Sequence, residues 1–482
     1  MNLRETTVNS VKWSAIGDYT NTIFSFFLGI VLARILSPSD YGTVGMIGIF
    51  FAVSGIFVDS GLGLALIRKK DADEKDFSTV FYFNLVVSCF CYFLLFLSSP
   101  WIASFFEMPI LKDLVRVSGL TLIIGSLGSI HYTILTRNLD FKKPAIIRIL
   151  ANIISGIIAI VLAYKGWGIW TLVFQSVSSS IISVICVLFI TSWKPKLTFS
   201  KSSFHELFGF GSKMLFNGLS SVIYTNIARL LIGKFYTPQA LGLYSKGASV
   251  SSLPFKSFFG VIEKVTYPIM AKIQDDDTQL IRVYSKYIRT LSIPIIFFMA
   301  LLFAIAKPLV IFLYTEKWIG AVIYIQIFSF YYMFAHISKV NISLLLVKGR
   351  SDLTLKIEII NRIMQICVLA IAIPFGPVVL CVLDVFAMQF KLVLNSYYTG
   401  KLFDYGYKEQ VKDFIPYFII SLICCTPAFL LTFIEMPNLL CLISGSIISI
   451  VLYIGLLLIR KDNNLVDLIR LTPLKKYIPI DC

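Results

Sequence analysis

Apolar residues run in about fourteen blocks from Val11 to Ile459, each near the 20 residues a helix needs to cross a bilayer. The blocks cover residues 12–36, 41–67, 77–98, 112–135, 144–164, 168–191, 207–232, 242–270, 284–306, 321–346, 353–373, 377–399, 414–434 and 437–459. In hydrocarbon every backbone polar group must be satisfied inside its own segment, so blocks of this length predict helices. The polar residues within them form stripes. Ser14, Asp18, Asn21, Thr22 and Ser25 share one side of the first span, and Ser245, Ser249, Ser252, Lys256 and Glu263 share one side of the eighth. Arg148, Asn152 and Ser155 mark the fifth, His336, Lys339 and Ser343 the tenth, Glu358, Arg362 and Gln365 the eleventh, and Asp384, Lys391 and Asn395 the twelfth. Such stripes turn away from lipid, and a hydrated cavity between two halves of the chain is their expected common destination.

The connections carry a second pattern. Lys and Arg gather in every second gap: Arg4 and Lys12; Arg68, Lys69, Lys70 and Lys75; Arg137, Lys142 and Lys143; Lys194, Lys196 and Lys201; Lys272 and Arg282; Lys348 and Arg350; Lys401, Lys408 and Lys412; and Arg460, Lys461, Arg470, Lys475 and Lys476. The opposite gaps contribute Lys165, Lys234, Lys307 and Lys317. Since cytoplasmic loops hold the excess of Lys and Arg, both termini are expected in the cytoplasm, which requires an even number of spans.

Composition agrees with this picture. Hydrophobic residues make up 57% of the chain, charged residues 15%, and the mean hydropathy is +0.82, which excludes a water-soluble globular class. A net charge of +16 would point a soluble chain toward nucleic acid. Here the cations sit in short connections that face anionic lipid, so membrane lipid and not nucleic acid is the expected partner. The nine cysteines, apart from Cys482, lie in apolar stretches without metal or disulfide spacing. The first apolar run lacks a small-residue cleavage site and is read as a retained span. The segment from Arg460 onward sets Leu465, Val466, Leu468, Ile469 and Leu471 among basic residues, as in either a surface amphipathic helix or a solvated tail.

A weak internal repeat organises the spans. Arg34-Ile35-Leu36-Ser37-Pro38-Ser39-Asp40-Tyr41-Gly42 aligns with Lys234-Phe235-Tyr236-Thr237-Pro238-Gln239-Ala240-Leu241-Gly242. Each closes one span and opens the next, and Ser99-Pro100-Trp101 aligns likewise with Lys307-Pro308-Leu309. The expected fold is an all-α polytopic membrane protein of about 14 transmembrane helices, with two six-helix bundles in parallel pseudo-repeat plus a C-terminal helical hairpin. Its expected divisions are 1–200, 201–400, and a terminal hairpin and tail over 401–482.

An ionisable group at mid-bilayer costs about 2.5 kcal/mol or more and normally faces a cavity or a partner. Lys256, Lys339, Arg362 and Lys391 are therefore candidate substrate-binding cations, and Asp18, Asp59, Glu263 and Asp384 candidate ion-coupling or charge-balancing acids. Structural readings stand beside these. Glu358 and Arg362, four apart, fit a self-neutralising pair. Arg148, Lys213, Lys246 and Lys356 lie near span ends where snorkelling is sufficient, and His336 fits hydrogen-bonded packing as well as a proton relay. Nucleotide loops, zinc motifs and nucleophile triads do not occur, so neither a cofactor nor an enzyme is expected.

Several segments resemble a known family. Leu32-Ala33-Arg34-Ile35-Leu36-Ser37-Pro38-Ser39-Asp40-Tyr41-Gly42, Asp59-Ser60-Gly61-Leu62-Gly63-Leu64-Ala65-Leu66-Ile67, Arg137-Asn138-Leu139-Asp140-Phe141-Lys142, and Leu241-Gly242-Leu243-Tyr244-Ser245-Lys246 with Leu253-Pro254 are similar to the Wzx-type flippases. These form the polysaccharide-transporter branch of the multidrug, oligosaccharidyl-lipid and polysaccharide exporter superfamily, and the likeness is to its colanic-acid and teichuronic-acid exporter subgroup. The resemblance implies a bacterial inner-membrane protein that alternates between inward-open and outward-open states. It implies undecaprenyl-diphosphate-linked oligosaccharide as cargo, with a proton or sodium gradient and polysaccharide polymerase machinery as candidate partners. The related lipid II flippases concentrate arginines in their first bundle, whereas the first two spans here offer Asp18 and Asp59, which disfavours lipid II. A multidrug exporter of the same superfamily is the alternative, followed by a membrane-bound glycan polymerase.

Overall fold

The computed structural model describes the backbone of residues 3–465 and the side chains of residues 13–14, 16–260 and 266–465. The apolar blocks form a set of helices: α1 (Leu3–Ile35), α2 (Pro38–Asp59), α3 (Leu62–Arg68), α4 (Glu74–Phe105), α5 (Leu111–Arg137), α6 (Lys142–Tyr164), α7 (Trp170–Ile190) and α8 (Lys201–Phe235). There follow α9 (Pro238–Lys272), α10 (Asp277–Ala304), α11 (Ala306–Tyr314), α12 (Ala321–Val347), α13 (Ser351–Ala372), α14 (Pro377–Phe403), α15 (Tyr407–Leu431) and α16 (Asn438–Ile459). Among the described residues 13 helices are long and apolar enough to span a membrane, so the protein is a multi-pass membrane protein. The fourteenth expected span corresponds to α9. The tail beyond residue 465 lies outside the described residues.

The aligned repeat segments have a common local physics. Ser37 caps α2: its Oγ accepts from the Asp40 N–H at 3.2 Å, and Asp40 Oδ2 accepts from the Ser37 N–H at 2.8 Å. Pro38 occupies the first helical turn, where its missing N–H costs nothing. At the start of α9 Thr237 repeats this, its Oγ1 accepting from the Ala240 N–H at 3.2 Å, again followed by proline. The two motifs then meet. A Cβ on Gly42 would lie 1.7 Å from the Pro238 carbonyl oxygen, and one on Gly242 would lie 1.9 Å from that of Pro38. Only glycine fits either position, which explains why the repeat retains it.

One expected span is broken. The block over 41–67 forms α2 and α3, separated by Ser60 at φ 48° and Gly61 at φ 67°. The break is held from outside: a Cβ on Gly61 would meet Met214 Cβ at 2.6 Å and the Gly211 oxygen at 2.7 Å on α8. Arg137 closes the far end of α3, donating to the carbonyls of Leu66 at 2.7 Å and Lys70 at 2.6 Å. Apolar periodicity runs straight through this region, so the hydrophobic pattern alone reads it as one helix.

Two compact units result, Met1–Gly242 and Leu243–Cys482. In the first, α4 packs on α5, α6 on α7 and α1, and α2 on α8. The start of α5 also adds Lys112 and Arg116 to the cation-poor gaps, with Arg116 donating to Ser99 at 3.0 Å and lying 4.2 Å from the Phe96 ring centre. In the second, α10 is the centre, packed by α12 and α15, with α14 against α12. The terminal hairpin of α15 and α16 joins this core: Tyr453 stacks on Phe297 at 4.2 Å and donates to the Ile293 carbonyl at 2.9 Å.

Candidate functional site

In the first unit the polar stripe of α1 meets that of α6. Asp18 Oδ1 lies 3.2 Å from Arg148, and Asn152 hydrogen-bonds Asn21. Arg148 thus has a carboxylate partner on another helix, where snorkelling was sufficient from sequence. The Asp18 and Arg148 side chains are 52% and 47% exposed, so the pair stays accessible. Asp59 is exposed on the last residue of α2, directly before the helix break. A helix break of this kind frees backbone groups that transporters use at their binding sites.

At the basic end of the same unit, Lys69 bridges Asp76 at 3.0 Å and Glu206 at 2.9 Å. The hydrogen bond to Glu206, then that to Asp76, holds its ammonium above the usual lysine range against the opposing effect of desolvation. Lys234, at the other end, reaches Glu107 at 3.1 Å and the Phe105 carbonyl at 2.6 Å.

The second unit separates the remaining candidates into three environments. Lys256 on α9 is exposed, with no ion pair to it among the described residues. Lys339 on α12 is also exposed, its Nζ 4.8 Å from the Phe259 ring centre and 5.7 Å from that of Phe255. Those two rings stack at 5.5 Å, and Tyr332 continues the stack at 5.0 Å from Phe255. The lysine therefore sits at the edge of an aromatic shelf, where a ring face attracts a cation.

Lys391 on α14 is committed to Glu358 on α13 at 3.0 Å. This replaces the sequence pairing of Glu358 with Arg362; Arg362 is half-buried on α13. Asp384, on α14, is half-buried without an ion pair among the described residues. Glu263 falls outside the described side chains. His336, three residues before exposed Lys339, is fully buried and shares a 3.0 Å hydrogen bond with Ser292. It packs inside the unit against α10, while Lys339 stays exposed.

Two polar settings differ from the sequence reading. Lys246 has its Nζ 4.6 Å from the ring centre of Tyr314 and 5.0 Å from that of fully buried Trp318, an aromatic setting in place of a snorkelling one. Between α12, α14 and α15, Asn341 Nδ2 donates to Gln410 Oε1 at 2.9 Å, Gln410 Nε2 donates to Thr399 at 3.0 Å, and Ser396 donates to Gln410 Oε1 at 2.8 Å. Asn395 donates to Ser338 Oγ at 2.6 Å in the same layer. Every member is buried. Next to it Arg289 contacts buried Asp413 at 2.7 Å, with Ser285 and Tyr405 donating to the same carboxylate. The small polar residues at Asn395, Ser396 and Thr399 were the available sequence signal; their partners lie on other helices and carry no matching pattern.

Comparisons place this arrangement. The fold is shared with the lipid II flippase MurJ in an inward closed conformation, at a TM-score of 0.76 and 18% identity, covering 93% of this chain and 99% of that one. An inward-facing multidrug resistance MATE transporter of the MOP superfamily aligns at a TM-score of 0.61 and 15% identity, covering 80% of this chain and 94% of that one. The chain is 25% identical over 348 residues to the teichuronic acid biosynthesis protein TuaB of Bacillus subtilis, covering 72% of each. It is 25% identical over 379 residues to the lipopolysaccharide biosynthesis protein WzxC of Escherichia coli K12, covering 76% of this chain and 75% of that one. Residues 31–323 match the family described as polysaccharide biosynthesis protein, which includes the capped repeat, the broken second span and the helix that carries Lys256. With its transporter fold and these residues, the chain belongs to the polysaccharide biosynthesis protein family.

Proposed function

We propose that this chain is a flippase that carries undecaprenyl-diphosphate-linked oligosaccharide units from the inner to the outer leaflet of the bacterial cytoplasmic membrane by alternating access. The product would feed capsule, exopolysaccharide or O-antigen assembly, with both termini in the cytoplasm. Family membership and the shared transporter fold support the class of reaction. The observation that carries the reading to a mechanism is exposed Lys256, a cation inside the long helix α9 with no ion pair among the described residues. A lysine in a span costs about 2.5–3.5 kcal/mol unless water or an anion meets it. A diphosphate is such an anion, and sugar hydroxyls need polar replacements for their water while the lipid tail stays in the bilayer.

In this reading Lys256 and Lys339 meet the diphosphate or acidic sugars first. Arg362 and Lys391 supply further positive charge, with Lys391 exchanging Glu358 for the cargo. Asp18, Asp59, Glu263 and Asp384 balance these charges or couple movement to a proton or sodium gradient. The test is leaflet-selective labelling of undecaprenyl-linked oligosaccharide in a strain lacking the gene. Build-up on the cytoplasmic face, reversed by the intact chain and not by Lys256→Ala at equal membrane abundance, is expected. Unchanged lipid-linked sugar with altered drug tolerance would replace this reading with multidrug export, and sugar polymerisation by the purified chain would replace it with an enzyme.

A further inference from the structure

The turn between α14 and α15 builds a second polar feature, remote in sequence from the candidate cargo residues on α9. Val393, Tyr397, Lys401, Tyr407, Lys408 and Glu409 line a groove of about 600 Å³. Its floor is fixed. Gly400 and Gly406 approach so closely that a Cβ on Gly400 would lie 2.9 Å from Gly406 Cα, and Asp404 between them turns the chain at φ 53°. Ser396, also at the groove, is anchored from below by its hydrogen bond to buried Gln410.

The charges of the groove are unequal in availability. Glu409 Oε2 accepts from the Gly406 N–H at 2.9 Å, closing the first turn of α15. Lys401 and Lys408 are exposed, with no ion pair to either among the described residues. Two tyrosines flank them, Tyr397 at 61% and Tyr407 at 39% exposure. Aromatic rings with one polar end favour the level of lipid headgroups.

An apolar track leads to the same place. Phe386, Phe390, Val393 and Tyr397 follow one another at helical spacing on α14, and all are exposed. From Phe386 to Lys401 the helix rises about 22 Å at 1.5 Å per residue. That equals half of a hydrocarbon core of about 30 Å plus one headgroup layer of about 7 Å. A single phospholipid therefore matches the feature along its length, with acyl chains on the track and an anionic headgroup between the lysines. Orientation alone accounts for cations in this gap; their place in the groove at the end of the track, beside Tyr397 and Tyr407, is what matches a headgroup.

We propose that the α14–α15 groove is a binding site for one anionic phospholipid of the lysine-rich leaflet, held by Lys401 and Lys408. The site requires only that the chain spans a membrane, so it stands or falls separately from the cargo. Native mass spectrometry of the purified full-length chain, titrated with phosphatidylglycerol or with phosphatidylcholine of the same acyl chains, tests it. Retention of phosphatidylglycerol over phosphatidylcholine is expected, falling about fivefold for each lysine replaced in Lys401→Gln and Lys408→Gln and restored in the arginine variants. Thermal unfolding and monodispersity verify that each variant is folded, and the single variants serve if the double variant does not fold. Equal retention of the two lipids, or unchanged retention in the glutamine variants, would overturn the proposal. Displacement of phosphatidylglycerol by an equal concentration of undecaprenyl phosphate would also overturn it and assign the groove to the carrier lipid.

Discussion

Each unit supplies a polar helix junction inside the membrane, and these two junctions are built in opposite ways. In the first, α1 and α6 join through a charged pair, Asp18 with Arg148, that is about half exposed on both sides. In the second, α12, α14 and α15 join through uncharged side chains, Asn341, Gln410, Thr399 and Ser396, all buried and mutually hydrogen-bonded. The exposed pair can exchange its partner for water or another ion at small cost, whereas the buried layer cannot exchange anything without leaving donors unmet. Polar residues of similar spacing thus do different work, and burial decides which.

The largest expected effect lies in the buried layer. Gln410→Leu removes the acceptor of Ser396 and one partner each from Asn341 and Thr399, which keep their mutual 3.0 Å hydrogen bond, and should lower stability by about 3 kcal/mol, read as a lower midpoint of thermal unfolding in detergent. A change below about 0.6 kcal/mol, the average for interhelical hydrogen bonds in membranes, would show that the layer repacks and would erase the contrast between units. Arg289→Ala should follow at about 2 kcal/mol in the same assay, because it strands the Asp413 carboxylate, which is 4% exposed. The value sits below that of a fully buried pair because Arg289 itself is 46% exposed.

In the first unit, Asp18→Asn and Arg148→Gln should each change the unfolding midpoint by less than about 1 kcal/mol. Their double-mutant cycle sharpens the comparison: a coupling energy near that of Gln410 with Asn341 would mean the exposed pair is as structural as the buried one. The smallest stability effect is expected for Lys256→Ala, within about 0.5 kcal/mol, since an exposed side chain without an ion pair leaves nothing stranded. The same substitution should abolish leaflet transfer, so it separates transport from folding in one chain.

How far the sequence could be read depended on the range of each interaction. Span positions were legible because the bilayer acts on each segment by itself. The repeat was legible through Ser37-Pro38 and Thr237-Pro238, since an N-cap and a proline at the first turn are local chemistry. The break at Ser60 and Gly61 was not, because its cause is the backbone of α8 at Gly211, about 150 residues away in sequence and so outside any local pattern. The same limit applied to the candidate site. Glu358 could have paired equally with Arg362 on its own helix or with Lys391 on the next; the packing of α13 on α14 settles it.

The sequence by itself determined that this is a membrane protein of many helices, which gaps are basic, and which positions put ionisable groups into hydrocarbon. These follow from hydropathy and charge summed along the chain, and no partner helix is needed to evaluate them. Only the tertiary structure decided that His336 is sealed against Ser292 while Lys339, three residues on, stays exposed beside Phe259. Helical spacing places both on nearby angles of one cylinder, but the neighbours that cover one and spare the other come from α10 and α9. Whether a polar residue in a membrane is glue or an accessible charge is a property of those neighbours, and the chain acquires it only when its helices pack.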